Sequence, residues 1–179
     1  MLLILSGLPG TGKTTIAREL ARQLGAVHVR IDSIEQAIRE SGVAVVSLDD
    51  AGYRAGYAMA EDNLTLGHTV IADSVNPLPI TRQAWIAVAT RARVGAVEIE
   101  ITCSDPQEHR RRVETRAADN PGGRFPTWPE VVARDYRPWD RDRIVIDTAG
   151  ESLEHSLKML RAALASRTSL SGATTKSPA

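Results

Sequence analysis

The chain has 179 residues, of which 42% are hydrophobic, so its length and composition predict one globular domain with a proper core. Its 22 basic and 22 acidic residues leave no net charge, which argues against a protein whose main partner is nucleic acid. The single cysteine, Cys103, excludes a disulfide framework, and the four histidines lack metal-ligand spacing. The N-terminal apolar run is too short for a signal peptide and no stretch is long enough to span a membrane. We therefore expect a cytoplasmic protein that binds no membrane, while the oligomeric state stays open.

Short apolar runs alternate with amphipathic stretches along the chain. Such an alternation predicts an α/β fold, in which a parallel sheet is covered by helices on both faces. The predicted strands are 2–6, 27–31, 69–73, 96–102 and 143–147. The predicted helices are 13–24, 33–41, 50–66, 79–93, 106–117, 128–135 and 152–166.

Two segments interrupt this pattern. Residues 118–127 carry proline and glycine, which disfavour regular helix and indicate a mobile flap that contains Arg124. Residues 167–179 are rich in serine and threonine and are predicted to form a disordered tail. The domain is therefore expected to span 1–166.

Residues 7–14 read Gly-Leu-Pro-Gly-Thr-Gly-Lys-Thr and match the phosphate-loop pattern G-x-x-x-x-G-K-[ST] without a mismatch. A predicted strand precedes the loop and a predicted helix follows it, so backbone N–H groups can surround an anion at a helix N-terminus. Lys13 is expected to reach the β- and γ-phosphates, and Thr14 to supply a hydroxyl to Mg²⁺. A simple turn before a helix would need only one such glycine. The sequence therefore predicts an ATP·Mg²⁺ site formed by Gly7, Leu8, Pro9, Gly10, Thr11, Gly12, Lys13, Thr14 and Thr15.

Two aspartates end predicted strands, at the edge where an open parallel sheet binds its ligands. Asp32 follows the second strand and could accept a proton from an attacking hydroxyl, although Asp32 and Glu35 also fit a helix-capping box. Asp73 closes the third strand and is a candidate second ligand-sphere residue for Mg²⁺, although strands often end at Asp in a plain turn.

Further polar and aromatic residues follow these strands and could line an acceptor pocket. Some lie on the loop after the third strand and the others on the two neighbouring helices, where packing in the core or at its boundary is the alternative explanation. The candidates are Tyr53, Arg54, Tyr57, Ser74, Asn76 and Arg82.

Arg112 and Arg116 are four residues apart on a predicted helix that leads into the flap, so they share one helix face. Two guanidinium groups on a closing lid would neutralise charge on a transferred phosphoryl group. The alternative is a solvated helix face on which Arg112 pairs with Glu108.

On these residues the chain resembles the small P-loop kinases of the AAA-type ATPase group. It is similar to chloramphenicol phosphotransferase, gluconate and shikimate kinases, zeta-toxin kinases and the kinase domain of polynucleotide kinase. The resemblance covers residues 1 to about 165 and depends on the loop at 7–14, Asp32, the segment 70–76 and the Arg112/Arg116 pair.

The resemblance implies a three-layer α/β/α P-loop NTPase fold with a five-stranded parallel sheet in the order 2-3-1-4-5 and an arginine-bearing lid. It also implies that Asp32 is the catalytic aspartate, that Arg112 and Arg116 are lid arginines, and that a loop with Thr148 and Gly150 contacts adenine. The chain lacks the long insertions of zeta toxins and an obvious basic groove for a polynucleotide.

The function expected from the sequence is transfer of the ATP γ-phosphoryl group to a hydroxyl of a small-molecule acceptor, with Lys13, Asp32, Arg112 and Arg116 as catalytic residues. The alternatives are a nucleotide-dependent switch that hydrolyses ATP slowly and a polynucleotide 5′-hydroxyl kinase. The sequence does not identify the acceptor.

Overall fold

A computed structural model of the chain describes residues 1–42, 48, 50–119 and 125–173. Five parallel strands form one sheet in the order β2-β3-β1-β4-β5, as the family resemblance implied. The strands are β1 (Leu2–Ser6), β2 (Val27–Arg30), β3 (Val70–Asp73), β4 (Ala96–Thr102) and β5 (Ile144–Asp147).

Helices cover the sheet on both faces, which confirms the predicted three-layer α/β/α architecture. They are α1 (Lys13–Leu24), α2 (Ile31–Glu40), α3 (Ala51–Thr65), α4 (Pro79–Arg91), α5 (Pro106–Asp119), α6 (Trp128–Val132) and α7 (Leu153–Ala173).

Several helix boundaries differ from those predicted from the sequence, and three of the differences affect a predicted site residue or segment. Helix α2 begins at Ile31, directly after β2, so Asp32 lies inside its first turn instead of at the end of a strand. Helix α5 extends through Asp119 into the predicted flap, whose residues 120–124, Arg124 among them, lie outside the described residues. Helix α7 continues past residue 166 to Ala173, so the helix includes the first part of the predicted tail, while 174–179 lie outside the described residues.

The central strand β1 is buried on both faces, which explains its continuous apolar sequence. Leu3 and Leu5 pack in one apolar layer with side chains of α1 and α7. Leu2 and Ile4 pack in the opposite layer, where the fully buried Trp85 of α4 is the largest side chain. This core fixes the carboxyl ends of β1, β2 and β3 at one edge of the sheet.

The second face of β4 is covered by ion pairs and not by an apolar helix face. Glu98 and Glu100 are buried there, and they pair with Arg141 at 2.5 Å and Arg143 at 2.6 Å. The Tyr136 hydroxyl donates a further hydrogen bond to Glu100, so each buried charge has a partner.

Within the described part of the chain, none of the helices combines the length and apolar character needed to cross a lipid bilayer.

Candidate active site

A cleft of about 1440 Å³ opens at the carboxyl ends of the strands. Its floor is the loop between β1 and α1, and its far wall is formed by α2, while α5 and the start of α7 contribute to its other side. Ligands of open parallel α/β sheets bind at this edge, so the position agrees with the sequence prediction.

The phosphate loop has the backbone geometry that its glycines predict. Gly7 has φ +145°, and a Cβ there would collide with the carbonyl oxygen of Ile101. Gly12 has φ +86° at the N-cap of α1, a conformation that side chains disfavour. The loop therefore presents the N-terminus of α1, with Lys13 and Thr14, to the cleft.

Asp73 is the centre of a buried polar cluster below the loop. Its Oδ1 lies 3.2 Å from Lys13 Nζ, and its Oδ2 lies 3.2 Å from His28 Nε2 and 3.9 Å from Arg30 Nε. Burial alone would raise the pKa of Asp73, but the charge of Lys13 and the hydrogen bonds from His28 and Thr14 outweigh it and hold the pKa well below its ordinary value. The carboxylate is therefore ionised.

Thr14 and Asp73 fit the predicted magnesium site. Thr14 contributes to the lowered pKa of Asp73, so a hydroxyl and a carboxylate oxygen lie together beside the phosphate loop. Mg²⁺ prefers such oxygen ligands and takes most of the others from water and phosphates. The described residues contain no cluster of three or more His, Cys, Asp or Glu side chains that could hold a metal.

His109 of α5 holds the phosphate loop from outside. Its Nε2 donates a hydrogen bond of 2.7 Å to the Pro9 carbonyl, and its ring packs edge-on against Trp128 at 5.1 Å. This contact was not predicted from the sequence. It links the loop to α5 and α6, the two helices that flank the predicted flap.

Arg112 joins the phosphate loop to the loop after β5. It donates hydrogen bonds to Thr148 Oγ1 at 2.8 Å and to the Thr148 carbonyl at 2.9 Å, and the Thr148 hydroxyl donates to the Thr11 carbonyl. The pair between Arg112 and Glu108, weighed above as the alternative, is also present at 2.6 Å, and Glu108 accepts from the Gly150 N–H. Because Arg112 and Thr148 line the cleft as well, pairing and nucleotide contact are compatible.

Arg116 also lines the cleft. Its guanidinium lies 4.6 Å from the centre of the Phe125 ring, and it forms no ion pair with any residue that the structure describes. Burial, and then the nearby charge of Arg30, lower the pKa of Arg116. This cation is therefore positioned to take an anionic ligand.

Asp32 lies in the cleft wall, with 53% of its side chain exposed. The Arg30 guanidinium donates to its Oδ2 at 3.1 Å and to Ser33 Oγ at 3.2 Å. The capping alternative is wrong, because the N-cap of α2 is Arg30 and no side chain caps this helix. Asp32 therefore keeps a carboxylate oxygen open to a ligand.

Helix α2 lies close to α3 because α3 has glycine at two facing positions. A Cβ at Gly52 would overlap the Glu35 side chain, and a Cβ at Gly56 would overlap Ile31. These contacts set how closely α2, the helix that carries Asp32, packs on α3.

Of the three α3 residues predicted to bind acceptor, only Tyr53 lines the cleft. Its hydroxyl accepts a hydrogen bond from the Asn76 N–H at 3.2 Å, and burial raises its pKa. Tyr57 instead packs edge-on against Trp85 at 4.6 Å, and burial raises its pKa too. Arg54 is solvent-exposed, paired with Asp50, and does not reach the cleft.

The two candidates on the loop after β3 also differ, because one of them lines the cleft and the other does not. Ser74 lines the cleft and donates a hydrogen bond to Asn76 Oδ1 at 2.9 Å. Asn76 is fully buried, accepts from Trp85 Nε1 and donates to Ser6 Oγ. This corrects the prediction for Asn76, which holds the loop against β1 and cannot contact an acceptor.

Arg82 requires the same correction. It is fully buried, and its guanidinium lies 4.1 Å from the Trp139 ring. It donates to backbone carbonyls at 2.7–3.2 Å, those of Asn76, Pro77, Arg137 and Pro138. Arg82 therefore fastens the segment before β5 to the loop after β3, behind the cleft wall.

The fold and the phosphate loop together define a P-loop nucleotide-binding protein. The chain belongs to the AAA domain family, which its sequence matches over residues 2–134. It is also 29% identical over 162 residues to uncharacterized proteins of Mycobacterium tuberculosis and Mycobacterium bovis. That match covers 83% of this chain and 32% of each relative, so the chain spans about a third of the length of the curated relatives it matches.

Solved structures of kinases share the fold. A gluconokinase from Sinorhizobium meliloti 1021 superposes with a TM-score of 0.68 at 16% identity, over 97% of both chains. The Mycobacterium tuberculosis APS kinase CysC in complex with AMPPNP and APS gives a TM-score of 0.63 at 16% identity, over 91% of this chain and 96% of that one. The resemblance to small P-loop kinases is thus confirmed for the fold.

Proposed function

We propose that this protein is a kinase that transfers the γ-phosphoryl group of ATP·Mg²⁺ to a hydroxyl group of a small-molecule acceptor. One observation carries the proposal: a single cleft extends from the phosphate loop to the half-exposed carboxylate of Asp32. A protein that only bound or hydrolysed nucleotide would need no such wall beyond the phosphates.

The nucleotide binds with its phosphates on the loop N–H groups and the N-terminus of α1. Lys13 then leaves Asp73 for the β- and γ-phosphates, and Arg112 and Thr148 lie on the side of the loop where the nucleoside would bind. Thr14 and Asp73 would hold Mg²⁺, which neutralises charge that develops on the phosphates.

The transfer is an in-line displacement. Asp32 accepts the proton of the acceptor hydroxyl, the acceptor oxygen forms a bond to the γ-phosphorus, and the bond between that phosphorus and the bridging oxygen of ADP breaks. Lys13 and Arg116 stabilise the charge on the transferred group. The kinases that share this fold support the proposal, although at 16% identity their likeness extends to fold alone.

The test is ADP release from ATP, measured with and without a library of hydroxylated metabolites. We expect one class of acceptor to stimulate release strongly. Slow release that no acceptor changes would contradict the proposal and favour a nucleotide-dependent switch.

Asp32→Asn should lower acceptor-dependent turnover by about 100-fold, the usual contribution of a general base, and leave ATP affinity unchanged. Asp62→Asn is the matched control, because Asp62 is exposed on α3 and does not line the cleft. Full activity of the Asp32 variant would remove this residue from the mechanism.

A further inference from the structure

A second, smaller cavity of about 320 Å³ lies behind the acceptor end of the cleft. Its polar lining is basic except for one hydroxyl, and the described residues that line it include no carboxylate. It is lined by Arg18, His28, Arg30 and Ser33, and by the apolar side chains of Val29, Ile34, Ala37 and Met59.

The two cavities share a wall. Arg18, Arg30 and Ser33 line both of them, and Ser33 follows Asp32 in the chain. A ligand whose hydroxyl lies at Asp32 would therefore have its other end within reach of this side cavity.

The nucleotide phosphates do not account for these cations. Arg18 is five residues beyond Lys13 on α1, about 7.5 Å further along the helix axis, and so lies away from the N-terminus that holds phosphate. His28 lies on β2, on the side of Asp73 opposite Lys13, where it contacts the other carboxylate oxygen.

The charges around the shared wall are incompletely balanced. The cleft is lined by seven basic residues and five carboxylates, and the cations remain in excess when the buried Asp73 is added. The basic residues are Lys13, Arg18, Arg30, Arg39, Arg112, Arg116 and Arg134, and the carboxylates are Asp32, Glu35, Glu40, Glu130 and Glu151. The Arg30 Nε is buried without a hydrogen-bond partner, being 3.9 Å from Asp73. A buried donor without a partner is costly, so a small shift of this guanidinium toward an anion would be favourable.

We propose that the side cavity binds an anionic group of the acceptor, a phosphate, sulfate or carboxylate, through Arg18, Arg30 and Ser33. The guanidinium groups offer paired N–H donors to its oxygens, and the Ser33 hydroxyl offers another. The acceptor is then an anionic alcohol, held by its charged end while its hydroxyl meets Asp32. That this anionic alcohol is the phosphoryl acceptor rests on the proposed function, whereas the presence of an anion site does not depend on it.

The site is tested by titrating inorganic phosphate into protein saturated with AMPPNP·Mg²⁺, so that the phosphate loop is already filled. NMR signals of the His28 imidazole report binding. We expect a saturable shift, with affinity about tenfold weaker in Arg18→Gln, because one charged hydrogen-bonding partner is lost.

Arg22→Gln is the matched control, since Arg22 lies one turn further along α1, is 74% exposed and pairs with Glu19. Its affinity should equal that of the unaltered protein. A shift that does not saturate, or one that weakens equally in both variants, would overturn the anion site.

A second experiment separates the anion site from the kinase activity. ADP release is measured with glycerol, glycerate, glycerol sulfate and glycerol 3-phosphate, which share hydroxyl groups and differ in charge and in the type of anion. We expect stimulation by one or more of the anionic members and a KM for them about tenfold higher in Arg18→Gln.

The remaining outcomes each decide one proposal. Stimulation by neutral glycerol alone would overturn the anionic acceptor and leave the proposed kinase intact. Saturable phosphate binding without stimulation by this panel or by the metabolite library would support the anion site and contradict the kinase.

Discussion

The two ends of the cleft are built from different interactions. At the phosphate end, Lys13 and Asp73 form an ion pair whose side chains are 8% and 1% exposed, and His109 fixes the loop backbone. At the acceptor end, Asp32 is 53% exposed and pairs with Arg30 at the surface of α2. The ion pair at the first end is buried, while the carboxylate at the second is open to water.

This difference has an energetic meaning. An exposed ion pair contributes about 0–1 kcal/mol, whereas removing one partner of a buried pair costs about 3–5 kcal/mol. Changes at the acceptor end therefore affect ligand binding with little effect on folding, and changes at the phosphate end affect both. The predictions below test this contrast.

Lys13→Ala should have the largest effect, a loss of phosphoryl transfer of about 1000-fold, because it removes the charge that follows the γ-phosphate. Steady-state ATP turnover measures it. Lys158→Ala, at an exposed position on α7, should retain full turnover. More than about half of the original activity in the Lys13 variant would refute its assigned role.

Asp73→Asn should lower the free energy of unfolding by about 3 kcal/mol at neutral pH, because it leaves a buried lysine without its counter-charge. The folded state holds the Asp73 pKa below its ordinary value of 3.8, so the carboxylate stabilises the fold fully above that pH and progressively less as the pH falls below it. Urea unfolding between pH 7 and pH 3 should show the difference between the two proteins narrowing in acid. A constant difference would mean that Asp73 is not ionised in the folded protein.

Arg82→Ala should destabilise the protein by about 2 kcal/mol, because four backbone carbonyls lose a buried donor. Unfolding in urea gives the free energy. Arg91→Ala on the same helix, which removes an exposed pair with Glu61, should cost less than about 1 kcal/mol. If the Arg82 variant showed a raised KM and unchanged stability, the original prediction that Arg82 contacts the acceptor would be supported instead.

Arg116→Lys should reduce turnover by about tenfold, since an ammonium group cannot reproduce the planar two-point contact of a guanidinium with phosphate oxygens. Arg110→Lys, on an exposed part of α5 where Arg110 pairs with Glu114, should be unaffected. Equal turnover in the two variants would place Arg116 outside the reaction.

The features that could be predicted from the sequence are those set by residues close together in the chain. The phosphate loop is a contiguous pattern, and the strands are apolar runs bounded by breaks, so both could be recognised without knowing which segments meet. Their positions then placed Asp32 and Asp73 at one edge of the sheet. The first turn of α2 was assigned to a strand and a turn, because Arg30 is the N-cap of this helix and no capping side chain marks its start.

The contacts that the sequence could not predict are those between distant residues. His28 meets Asp73 from 45 positions away, and His109 meets Pro9 from 100 positions away, with no local pattern to mark either. Asn76 follows β3 just as Ser74 does, and both are buried, but only Ser74 lines the cleft. Arg82 lies on α4, and only its three-dimensional contacts show that it is structural.

The glycines of α3 bear on how this fold could acquire new substrates. Because Gly52 and Gly56 lack a Cβ, the Glu35 and Ile31 side chains of α2 rest directly on α3. A single base change in either codon gives alanine, and the added methyl would force the Glu35 or Ile31 side chain of α2 to shift. Because Glu35 and Ile31 also line the cleft, its shape beside Asp32 could change one methyl group at a time while the phosphate loop stays unaltered.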